Sequence, residues 1–131
     1  MLKGKYWNKF ESGFCSSGAA LRLLESADRA LDHSTSEIQD WEHLKSIVKS
    51  HSKHKCKRCT SCMFKSRCCG PILKHFFIHR VSLSYDICVN YIEAHEYVRR
   101  VHEEIVYDED IRKRVEEESL EQTLKAEKFL H

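Results

Sequence analysis

Proline occurs once in this chain of 131 residues, at Pro71, and glycine four times. These are the residues that most readily break a helix, so little in the backbone chemistry interrupts one. Also missing is any period-two run of β-branched residues, the mark of a half-buried strand, and the expected class is therefore all-α. Carboxylates are absent from His43 to Tyr85, a stretch that holds ten Lys/Arg residues. Residues 1–42 carry five Lys/Arg against seven Asp/Glu, and residues 86–131 carry seven against thirteen. A formal net charge of +2 thus conceals one cationic segment between two acidic flanks. Sign asymmetry of this kind points to an anionic partner for the middle: nucleic acid, an anionic membrane surface, or the chain's own flanks.

Long apolar runs are lacking too. The longest nearly apolar stretch, Pro71 to Ile92, is interrupted by Lys74, His75, His79, Arg80 and Asp86, which excludes the roughly 20 mostly apolar residues of a membrane span. The N-terminus, MLKGKYWNKF, has neither the apolar core nor the small-residue cleavage site of a secretory signal. Seven cysteines are an odd number, and with no export signal they argue against a disulfide scaffold and for a reducing, cytosolic setting. With 41% hydrophobic and 32% charged residues, the chain can bury one modest core as a single domain.

What is present reads as helices. Residues 1–50 are expected to form an N-terminal helical hairpin, residues 51–70 a basic, Cys-rich linker and residues 71–131 the C-terminal helices. Tyr6, Trp7 and Phe10 form a short aromatic helix before Gly13. Ser16 or Ser17 can then cap a helix whose apolar positions, Ala20, Leu23, Leu24, Ala27, Ala30 and Leu31, fall on one side. Ser34 with Glu37 has the form of a capping box, and Ile38, Trp41, Leu44 and Val48 make the stripe of the next helix, antiparallel to the last. Gly70 and Pro71 mark a break and a helix start. The long helix that follows carries Ile87, Tyr91, Ala94, Val98, Val101 and Ile105 at a spacing of four, three, four, three, four, the a/d seam of helix pairing. This seam is expected to bury itself against the final helix or against the same helix of a second subunit. Asp108 reads as the N-cap of that final helix, with Glu109 and Asp110 in its first turn and Ile111, Val115, Leu120 and Leu124 as its apolar side. Trp7 and Trp41 read as core anchors, His95 as a packed or surface histidine, and Glu116, Glu117 and Glu118 as a solvated face. The fold expected is a small helical bundle: an αα-hairpin, a basic Cys-rich hinge, one long helix and a final acidic helix.

The hinge carries the candidate sites. Cys56, Cys59, Cys62 and Cys68 offer thiolates for a Zn²⁺ ion, which takes four tetrahedral ligands. Cys68 and Cys69 are adjacent, however, and no second C-x₂-C or H-x₃₋₅-H pair follows. Lys53, Lys55, Lys57, Arg58, Lys65 and Arg67 make a basic patch interleaved with cysteines, suited to an anionic membrane surface, where each basic residue contributes about 1 kcal/mol. Nucleic acid is the weaker expectation, because Phe64 is the only aromatic between Trp41 and Phe76 that could stack on a base. No Cys-His pair sits in a recognisable nucleophilic frame, so no enzymatic activity is expected.

Two stretches resemble a known family. Residues 6–48, with their aromatic turn, small-residue helix and the Asp40–Trp41 pair, look like the first cytosolic segment after the membrane domain of salt-overly-sensitive-type Na⁺/H⁺ antiporters and their sperm-type relatives. Residues 82–130 are similar to the segment that follows it, through the Tyr85-to-Tyr91 helix, the Glu93-Ala94-His95 step and the Glu118-to-Leu130 run ending Ala126-Glu127-Lys128-Phe129. The ion-translocating domain, its paired-acid motif and a cyclic-nucleotide-binding domain have no counterpart in this sequence, and the HKCKRCTSC segment has none in the family. The resemblance implies a cytosolic regulatory and dimerisation segment of an exchanger, lacking the transport domain and unable to move ions alone. It further implies a place at the cytoplasmic face of a membrane, with its own exchanger domain and a second copy as partners. The runner-up is a stand-alone zinc- or nucleic-acid-binding helical adaptor.

Overall fold

The computed structural model describes residues 1–32, 40–52, 70–105 and 108–130. Among them run α1 (Leu2–Glu11), α2 (Ser17–Asp32), α3 (Asp40–Ser52), α4 (Gly70–Ile105) and α5 (Glu109–Leu130), with no strand. The chain is a small all-α bundle. The capping box at Ser34 and Glu37, and Ile38, lie outside the described residues.

Local chemistry sets the helix ends. Gly13 adopts φ +75° just past α1, the left-handed conformation that glycine enters without a Cβ penalty. Its N–H donates to Phe10 O at 3.0 Å while Phe14 N–H reaches back to Lys9 O at 2.9 Å, the double closure of a Schellman motif. Ser16 then opens α2, its Oγ accepting from Ala19 N–H at 3.4 Å. Asp108 caps α5 as expected, with Oδ1 accepting from the N–H groups of Asp110 at 3.1 Å and Ile111 at 3.3 Å, and Glu109 and Asp110 occupy the first turn.

The core gathers Tyr6 from α1, Ala19, Ala20, Leu23 and Ala27 from α2, Trp41, Leu44 and Val48 from α3, Ile87, Cys88, Tyr91 and Ala94 from α4, and Ala126 from α5. Trp41 is its hub. The indole lies 5.2 Å from the Tyr91 ring and meets the Phe129 ring edge-on at 6.3 Å, so one side chain joins three helices. Helix α2 packs on α1, α3 and α4, and a Cβ placed on Gly18 would sit 3.2 Å from Leu83 Cδ1. Glycine there permits the close approach of α2 to α4.

Several sequence expectations are corrected. Trp7 is 49% exposed and flanks Phe10, whereas its neighbour Tyr6 is 1% exposed and anchors α1. One residue is a 100° turn of the helix, enough to exchange core for solvent. On α2 the buried stripe stops at Ala27; Ala30 and Leu31 are exposed. The largest departure is α5. Ile111, Leu120 and Leu124 are exposed, Val115 is half-buried, and the docking face is Ser119, Gln122, Thr123 and Ala126. Small side chains let two helix backbones approach closely, and hydrogen bonds to α4 supply the direction that apolar packing lacks. Glu116 and Glu117 are solvated as expected, and Glu118 pairs with Arg114 at 3.3 Å.

Within the a/d seam, Ile87, Tyr91 and Ala94 are buried inside a single chain, while Val98 and Val101 are half-buried. Ile105 ends α4, and its side chain lies outside the described residues. The seam's first half is thus filled by the chain's own helices and is closed to a second subunit.

Candidate functional site

Two regions of α4 have the chemistry of a site. The first is the polar contact with α5. His95 is buried, its ring 4.3 Å from that of Tyr91 and its Nδ1 3.2 Å from Ser119 Oγ. One turn on, Arg99 Nη1 donates to Thr123 Oγ1 at 2.9 Å, and that hydroxyl donates in turn to the carbonyl of Leu120 at 2.9 Å or Ser119 at 3.1 Å. The sequence marks His95 as a packed or surface residue, and it is packed; its partner on Ser119 had no sequence signal, because a serine among glutamates reads as surface. A second polar cluster ties the α1–α2 turn to α4. Asp86 accepts from Ser16 N–H at 2.8 Å and from Asn90 Nδ2 at 2.6 Å, while Lys9 donates to Asn90 Oδ1 at 3.0 Å and pairs with Glu93.

The second region is the start of α4. From Pro71 to Ser82 every described side chain except the half-buried Arg80 is exposed. Ile72, Phe76, Phe77, Ile78, Val81 and Tyr85 are each between 50 and 72% exposed. The only charged side chains on this stretch before Asp86 are Lys74 and Arg80, and the Arg80 guanidinium stands 5.2 Å from the Phe76 ring centroid. Phe77, Val81 and Tyr85 border a groove of about 280 Å³ that Val48 of α3 and Phe129 and Leu130 of α5 complete.

The described thiols are poor nucleophiles. Burial pushes Cys15 up to about 11, helped by the Asp86 carboxylate and opposed by Lys9, and burial alone pushes Cys88 up to about 11. Neither carries much thiolate near neutral pH. Among the described residues no three or more His, Cys, Asp or Glu side chains gather as a metal site would need. The zinc candidates Cys56, Cys59, Cys62 and Cys68 lie outside the described residues, as does the basic patch Lys53, Lys55, Lys57, Arg58, Lys65 and Arg67. No described helix is long and apolar enough to cross a membrane. The chain matches no family model, no curated protein and no solved structure.

Proposed function

We propose that this chain acts as a cytosolic regulatory segment of a Na⁺/H⁺ exchanger-like membrane protein, a helical module held at the membrane beside its own exchanger domain, where it biases transport. One observation carries the reading: the core is closed from within around Trp41 and Tyr91, yet one end of α4 keeps an uncovered apolar face. A closed body with one open helical face leaves that face available at a membrane, which supports the reading. The likeness of residues 6–48 and 82–130 to the segment after an exchanger's membrane domain supplies the partner. Pairing with a second copy, also implied by that likeness, would have to use an outer surface, since Ile87, Tyr91 and Ala94 are occupied.

The test is a reconstitution. A salt-overly-sensitive-type exchanger stripped of its own cytosolic region is placed in proteoliposomes, and Na⁺-driven proton flux is followed with a pH-sensitive dye as the purified chain is added to the cytosolic side. A change of about fivefold or more in the Na⁺ concentration giving half-maximal flux is expected, the lower range of typical allosteric coupling. Flux unchanged at saturating protein overturns the proposal.

A further inference from the structure

The open face of α4 has a definite pattern. Phe77, Val81 and Tyr85 recur every fourth residue, and Ile78 falls beside them, so the four share one side of the helix. Leu130, 38% exposed, adjoins them across the groove. Lys74 lies one turn before Ile78 on the same side, and Arg80 is half-buried against Phe76. Long cationic side chains in such positions can lay their stems on apolar surface and lift their charge to a polar layer. Lys49, next to groove-lining Val48, is exposed as well. No carboxylate interrupts: the first on α4, Asp86, is engaged by Ser16 and Asn90.

We infer that this face is an interfacial anchor, seating the Phe77, Ile78, Val81 and Tyr85 side chains among the headgroups of an anionic lipid bilayer. Aromatic and aliphatic side chains beside lysine and arginine, without acids, are what a helix lying in a membrane interface needs. Charge complementarity selects anionic over neutral lipid. A second copy fits less well, because pairing this face with itself sets Lys49, Lys74 and Arg80 of one copy against the same cations of the other, with no carboxylate on the face to offset them. Pairing it with the acidic α5 of another copy makes a head-to-tail contact, which closes only as a ring or runs on as a filament. Nucleic acid would satisfy the cations but would leave Ile78 and Val81 facing phosphates. The inference rests on the same open face as the exchanger reading and gives that face a lipid occupant; flotation uses no exchanger, so its failure and the failure of the flux assay are told apart.

Flotation with protein-free vesicles tests it, using phosphatidylcholine alone or mixed with phosphatidylserine. The decisive variant is Ile78→Ser/Val81→Ser, since both side chains are exposed and the linker's basic residues remain to give any purely electrostatic binding. Wild type is expected to float with the anionic vesicles and not with the neutral ones. The double variant is expected to lose about tenfold in partition with unchanged circular dichroism, as removal of two aliphatic groups from an interface predicts. Equal flotation of variant and wild type would overturn the inference, as would equal binding to neutral vesicles. So would a doubled mass in light scattering that the double variant abolishes, which would assign the face to a second copy. Tighter binding to duplex DNA than to anionic vesicles, lost in the same variant, would assign it to nucleic acid.

Discussion

Replacing Trp41 with alanine should disclose whether three helices share one hub. The indole is fully buried, tilted against the ring of Tyr91 of α4 and edge-on to Phe129 of α5. Truncating a buried aromatic of this kind costs about 3–5 kcal/mol, from lost transfer energy and the cavity left behind. A domain of this size is stable by about 5–15 kcal/mol in total, so the change removes a large share of that stability. The same substitution at Trp7 is an internal control, since that side chain is half exposed and touches mainly Phe10; about 1 kcal/mol or less is expected there. Urea unfolding followed by far-ultraviolet circular dichroism measures both. A double-mutant cycle with Phe129→Ala should return a coupling of about 0.5–1.5 kcal/mol for the edge-on pair. If Trp41→Ala costs no more than Trp7→Ala, or if the cycle is additive, α3 and α5 do not meet as described and the core assignment fails.

Other consequences follow from single groups. Asp108→Ala should cost about 1 kcal/mol by leaving two N–H groups of α5 without their acceptor, and Asp108→Ser should recover most of it in thermal melts. Gln122 is buried with Oε1 lacking a hydrogen-bond partner among the described residues; Gln122→Met should therefore stabilise by about 1 kcal/mol in the same melts. Burial, and then the Arg29 guanidinium 3.3 Å from its Nδ1, hold His43 below its ordinary 6.5. The folded state thus binds this proton less readily than the unfolded one, so the contribution of His43 is present above pH 6.5 and falls as pH drops below it. Urea titrations across that window should show a shallower acid loss for His43→Gln. Protein purified without tags is expected to hold no stoichiometric zinc by atomic absorption. Zinc at one per chain, whose chelation melts helicity, would instead make Cys56, Cys59, Cys62 and Cys68 a structural site.

Helix boundaries were the most legible part of the sequence because they depend on local chemistry. Gly13, Ser16, Pro71 and Asp108 each act within a few residues of themselves, and each stands at or beside a helix end. Apolar stripes were legible where large side chains met a core, as with Trp41, Leu44 and Val48. They misled where small polar residues did the packing. A pattern search weights Ile111, Leu120 and Leu124 on α5 because they are the hydrophobic residues, yet burial goes to Ser119, Thr123 and Ala126, whose advantage is size. That advantage exists only once α4 is alongside, with His95 and Arg99 one turn apart to meet the hydroxyls. The tie Asn90 makes across the fold was invisible for the same reason: Lys9 and Phe14, its partners outside α4, are more than seventy residues away in sequence. The open face of α4 was read only as an interrupted apolar run. Its residues are legible individually, but their exposure among the described residues is a property of the assembled bundle.

The two halves of α4 are joined by a feature that gives them a shared mechanical consequence. The helix runs for 36 residues, about 54 Å at 1.5 Å per residue, with its glycine and proline confined to the first two positions. Sharp kinks arise at proline, glycine or inserted groups, so this sequence gives the long helix no proline or glycine hinge. From Asp86 onward it is fixed in rotation by directional bonds: Asp86 and Asn90 to the α1–α2 turn, His95 and Arg99 to α5. Apolar packing alone would tolerate a small roll of the helix; hydrogen bonds to other elements between 2.8 and 3.4 Å in length do so much less. The direction in which Phe77, Val81 and Tyr85 point is thereby set by polar contacts on the far side of the core. Whatever seats this face in one orientation acts on the same rigid helix that His95 and Ser119 hold at its other end. Polar docking at one end and apolar, cationic exposure at the other are thus two ends of one lever.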